Sequence, residues 1–138
     1  MTSPAGADPT SAPVVAGLPG AGVLDAEALA RLQDLDPSGK AGLLLRVLNT
    51  YAMSLERQLG TLHSARLNAD AHGQRHVAHT LKSSSASVGA LKLSALCADI
   101  ESKLRDGQVE GLDAQLDALT IEAARILTAL RETLPPSP

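Results

Sequence analysis

Apolar residues between Ser38 and Leu134 recur every three or four positions, the spacing of one buried helix face. A short stripe comes first, with Leu29 and Leu32 flanked by Leu24 and Leu35; it predicts a helix over about Asp25 to Asp34, with Asp25 able to cap it. Asp36-Pro37 reads as a second start, an N-cap followed by proline at the first helical position. Leu44, Leu48, Tyr51, Leu55, Leu59 and Leu62 carry that helix toward Leu67, with Gly39 and Gly42 weakening its first turns. Asp70 can cap a third helix over about Ala71 to Ser87, with Gly89 as its stop. A fourth, about Ala90 to Asp106, carries Leu93, Leu96, Cys97, Ile100 and Leu104 and stops at Gly107. A fifth, about Val109 to Thr133, carries Leu112, Leu116, Leu119, Ala123, Ile126 and Leu130. Period-two alternation is absent. The expected fold is all-α: an antiparallel up-down four-helix bundle with a short additional N-terminal helix lying across it.

Proline placement sets the boundaries. Pro4, Pro9, Pro13, Pro19 and Pro37 precede the main body, Pro135, Pro136 and Pro138 follow it, and none falls between. Residues 1–22 are rich in Pro, Gly, Ala and Ser and read as a flexible leader or linker. Residues 23–134 form the helical bundle, and 135–138 a disordered tail. A length of 138 residues fits this single domain. Composition adds support, because the apolar residues are mainly Leu and Ala, with one Tyr and no Trp or Phe.

The formal charge of −3 gives no global reason to bind nucleic acid or an anionic membrane. No apolar run approaches the roughly 18 residues that a membrane helix needs, and the first charge is Asp8, unlike the basic start of a secretory signal. A single cysteine, Cys97, precludes an internal disulfide and suggests a reducing compartment. The expectation is a cytoplasmic protein without membrane insertion. Cys97 and Tyr51 lie on apolar stripes and read as core.

The third helix carries the candidate chemistry. With His79 at zero on a helical wheel, Val77, Leu81 and Val88 fall about 160–180° away and define the buried face. His79 points the other way, with His72, Arg75, His76, Lys82, Ser83 and Ala86 within about 60° of it. From Ala71 to Lys92 there are three Lys or Arg and no acid. A neutral imidazole is a good nucleophile, and neighbouring cations keep it neutral and then offset the charge of an acquired phosphoryl group. Lys82, one turn on, is the best-placed cation, and Ser83 has a hydroxyl to donate. Ser83 and Ala86 are small and leave room for a partner. The chain lacks a glycine-rich nucleotide loop, a Walker lysine motif and a magnesium-binding carboxylate cluster. If it handles phosphate, another protein brings the metal and most of the catalysis. His72, His76 and His79 share a face, but no Cys or Glu on that helix completes a metal site, so none is expected.

His79-Thr80-Leu81-Lys82, Ser84-Ser85, Val88-Gly89-Ala90, Leu93, Leu96-Cys97 and Ile100-Glu101 together resemble the signature of histidine phosphotransfer (HPt) domains, and the likeness extends over about residues 24–133. The resemblance implies a bundle whose exposed histidine shuttles phosphoryl groups between receiver-domain aspartates in a bacterial two-component phosphorelay. His79 then matches the phosphoacceptor, and Lys82 the supporting lysine. Ser83 stands where glycine is most common. The implied partners are response-regulator receiver domains or a hybrid sensor histidine kinase. Magnesium is expected on the receiver and no cofactor on this chain, which acts as a phosphoryl carrier rather than an enzyme, as a monomer. Arg75, His76 and Ala86 are the expected docking positions. The competing reading is a receiver- or kinase-binding regulatory module of the same fold, independent of phosphorylation.

Overall fold

The computed structural model describes residues 20–39 and 42–134. The expected tail at 135–138 and most of the expected leader lie outside the described residues. Five α-helices form: α1 Ala26–Asp34, α2 Leu43–Leu67, α3 Ala71–Val88, α4 Leu91–Arg105 and α5 Leu112–Thr133. No strand forms among the described residues, so the chain is all-helical.

Packing runs in a closed cycle. α2 touches α3, α3 touches α4, α4 touches α5, and α5 returns to α2. α3 makes its most extensive contact with α4, and α1 lies against α2 and α3. The helical stripes meet inside this ring. Leu48, Tyr51, Leu55 and Leu62 of α2 are buried with Val77, Leu81 and Val88 of α3. Leu93, Cys97 and Ile100 of α4 and Leu116, Leu119, Ala123, Ile126 and Leu130 of α5 complete the core. Leu44 and Leu59 pack against its edge.

Helix ends follow local chemistry. The Asp25 carboxylate accepts from the Ala28 N–H (3.1 Å), and the Asp70 carboxylate from the Gly73 N–H (3.0 Å). α3 stops at Gly89, whose φ of +86° is left-handed. That glycine also lets two elements meet. The Asp25 N–H donates to the Gly89 carbonyl (2.8 Å), and a Cβ at Gly89 would sit 2.8 Å from both the Asp25 nitrogen and the Ala28 Cβ.

The start of α2 departs from expectation. Asp36-Pro37 does not open a helix; α2 begins at Leu43. The reason is backbone geometry: Gly39 (φ +72°) and Gly42 (φ +65°) are both left-handed, and a helix started at Pro37 cannot run through them. Asp36 still caps, but over a longer reach, because its carboxylate accepts from the Leu43 N–H (3.2 Å). α5 likewise begins at Leu112 rather than near Val109, after a left-handed Gly111. At the N-terminal edge, the Gly20 N–H donates to the Thr133 hydroxyl (3.3 Å), joining the start of the described chain to the end of α5.

Candidate functional site

α3 holds its position through three contacts. Its capped N-terminus follows the α2–α3 turn, its apolar face enters the core, and Tyr51 of α2 and Ser85 of α3 share a buried hydrogen bond (2.8 Å). Burial pushes the Tyr51 hydroxyl up to about 12, and the Cys97 thiol likewise, so both stay neutral in the core.

With Val77 and Leu81 fully buried, His79 stands on the outer face with 62% of its side chain exposed. Its ring is not free to turn. Nδ1 lies 2.7 Å from Oε2 of Glu101, a residue of α4. Oε1 of the same carboxylate accepts from Nζ of Lys82 (2.6 Å). Glu101 thus ties the histidine to the lysine one turn along, and it does so from a nearly buried position, with 11% of its side chain exposed. The Lys82 ammonium first, and the His79 ring second, hold its carboxyl below the usual glutamate range, against an upward push from burial. An ionised Glu101 accepts only, so the bond from a neutral His79 is donated by Nδ1–H. That leaves the Nε2 lone pair for chemistry.

α4 is braced against this part of α3 as well. The Ser94 hydroxyl donates to the Lys82 carbonyl (2.8 Å), fixing the backbone that carries the lysine.

His72, Arg75, His76 and His79 of α3 line one open cleft with Glu101, with a volume of about 220 Å³. The structure therefore brings Arg75 and His76 to the same cleft as His79. Lys82 joins them through Glu101. Ser83 and Ala86 are exposed further along α3 and do not line the cleft. The Ser83 carbonyl accepts from the Ser87 hydroxyl (3.1 Å). Among the described residues no group of three or more His, Cys, Asp or Glu side chains has the arrangement to hold a metal ion. Nor is any helix there long and apolar enough to cross a membrane.

Glu101 enters from the sequence only within the family signature, with no role beside His79. The wheel of α3 alone shows a basic face with no acid, because the acid comes from α4. The signal was present: Glu101 sits beside Ile100 on the apolar stripe of its own helix, where an unpaired carboxylate is costly to bury.

The family model of the Hpt domain matches residues 46–133. Among solved structures, histidine-containing phosphotransfer protein B (HptB) from Pseudomonas aeruginosa PAO1 is similar, with a TM-score of 0.70 and 28% sequence identity. That match covers 81% of this chain and 94% of the other. No curated protein sequence matches at a significant level. The family match takes in all of α3 and α4 and well over half of the sequence, and the chain belongs to the Hpt, or histidine phosphotransfer, domain family.

Proposed function

We propose that this chain is a phosphoryl carrier in which His79 accepts a phosphoryl group from a receiver-domain aspartate and passes it to another. The observation that carries the proposal is the bond between His79 Nδ1 and Glu101 (2.7 Å) on an exposed helix face. It orients the ring, selects the tautomer and leaves Nε2 as the nucleophile.

The step balances in charge. Nε2 of neutral His79 attacks phosphorus, the N–P bond forms, and the bond to the aspartate oxygen breaks. The proton on Nδ1 stays, so the product ring is an imidazolium bearing a dianionic phosphoryl group, and the aspartate leaves as carboxylate. Glu101 offsets the imidazolium charge, and Lys82, bound to the other oxygen of the same carboxylate, offsets the phosphoryl charge. The same contacts serve the reverse direction. Magnesium and most of the transition-state stabilisation come from the receiver, since the chain carries only a nucleophile and cations for a reaction driven by positioning and charge neutralisation.

The docking surface is the outer face of α3, with Ala86 and Ser83 as its small residues. We take the four long helices as an antiparallel up-down bundle. The links at 68–70 and 89–90 are too short to return a chain along helices of 15 to 25 residues, which parallel neighbours require. The chain is taken to act as a monomer in the cytoplasm, with receiver domains or a hybrid sensor kinase as partners. Residues 23–134 are the working domain.

A receiver labelled on its aspartate, mixed with this chain and magnesium, tests the proposal. Label should move to the chain, be lost in acid, and fail to appear on His79→Gln. Label that still reaches His79→Gln would end the assignment. If wild type takes no label but binds the receiver, and His79→Gln binds equally well, the chain is a regulatory binding module.

A further inference from the structure

The cleft beside His79 is lined by an arginine and two histidines that the transfer step above does not use. Arg75 and His76 lie one turn before His79 on α3, and His72 two turns before, on the side opposite Lys82. All three are exposed. The one carboxylate lining the cleft, Glu101, already has both oxygens engaged, by His79 and Lys82. Among the described residues no carboxylate pairs with Arg75, and none lies between Ala71 and Lys92. An arginine presents a fork of N–H donors suited to phosphate oxygens, and each imidazole has an N–H donor to add.

We propose that this cleft is a built oxyanion subsite: Arg75, with His76 and His72, receives the oxygens of the phosphoryl group on His79 Nε2 and prolongs its lifetime before a receiver arrives. The inference rests on His79 being the phosphoacceptor. Lys82 is tied to Glu101 on one side of the ring, so the group's negative charge needs a second source of compensation on the other. Cations on the phosphoryl oxygens also oppose loss of the group to water, a step in which water oxygen bonds to phosphorus, the N–P bond breaks and inorganic phosphate leaves. Arg75 acts directly on the carried group and not on the nucleophile.

Phosphoramidate tests this without any receiver. Nε2 attacks its phosphorus, the P–N bond to ammonia breaks and ammonia leaves, so the chain loads directly. Loading and decay are followed by phosphorus NMR for wild type, Arg75→Ala, Arg75→Lys, His76→Gln and His79→Gln. We expect Arg75→Ala to load more slowly and lose its phosphoryl group about three- to tenfold faster. Arg75→Lys should recover part of the lifetime, and His76→Gln should show a smaller loss. Raising ionic strength should slow loading of wild type more than of Arg75→Ala. These variants sit on an exposed face, and an unchanged thermal melt separates the effect from unfolding. If Arg75→Ala loads and decays like wild type while His79→Gln does not load, the subsite is wrong and the phosphoacceptor stands. If His79→Gln loads like wild type, both are wrong.

Discussion

At Glu101 one carboxylate satisfies two neighbours and is itself almost buried, so its ionisation is linked to the stability of the fold. Its folded-state pKa lies below the ordinary glutamate value. A depressed carboxylate stabilises the folded chain above the unfolded pKa, and that contribution is lost as pH falls through the folded value. Glu101→Gln should therefore destabilise the chain at pH 7 by roughly 1 kcal/mol, a modest value because His79 and Lys82 are partly solvated. The gap from wild type should close on acidification below about pH 4. Urea unfolding of both proteins at pH 7, 5 and 3 checks this, and a constant gap across that range would contradict it. The same substitution leaves Nδ1–H without an ionised acceptor and should slow phosphoryl loading of His79. His79, Lys82 and their shared face were legible in the sequence because a helical wheel needs only one helix. Glu101 was not, because its role depends on where α4 lies against α3, which no periodicity on α3 encodes.

Among the elements, the α3 C-terminus and the α2 N-terminus show how far local signals reach. Gly89 was readable as a helix stop, and the structure adds that α1 docks there. Gly89→Ala should cost about 1–3 kcal/mol, through a left-handed φ and a Cβ placed against Asp25 and Ala28. A fall in the thermal midpoint with unchanged helicity at low temperature is the expected result, and an unchanged midpoint would contradict the packing. Asp36-Pro37 carried a valid helix-start signal that lost to two left-handed glycines. Asp36 nevertheless kept a capping role, at Leu43. Stripes on α2, α4 and α5 were read correctly because 3–4 spacing accumulates over several turns, and the start of α4 was read correctly too. The first turns of α2 and α5 were not, since left-handed glycines just before them decide where each helix begins. On α3, Ala86→Glu adds bulk and charge to an exposed position with little change in helix propensity. It should weaken transfer from a receiver at least several-fold while leaving the melting curve in place. Normal transfer kinetics would move the docking surface elsewhere.

On the scale of the whole molecule, the closed cycle of four helices makes α3 a fixed rail. One face is locked by Val77, Leu81 and Val88, and the other carries a histidine whose ring is aimed by a neighbouring helix. The ends are tied as well, through Gly20 to Thr133 and through the ion pair of Arg131 with Glu56. In the function proposed, such a carrier needs little motion of its own, because partners bring the reacting groups and the bundle supplies orientation. In the function proposed, phosphorus bonds to Nε2 of His79 while Nδ1 keeps its proton toward Glu101. Nitrogen–phosphorus NMR on the phosphoramidate-loaded chain with labelled histidine measures it directly. One phosphorus coupled to His79 Nε2, with a protonated Nδ1, is the expected result. Coupling to Nδ1, or to any of His63, His72 or His76 instead, would contradict it.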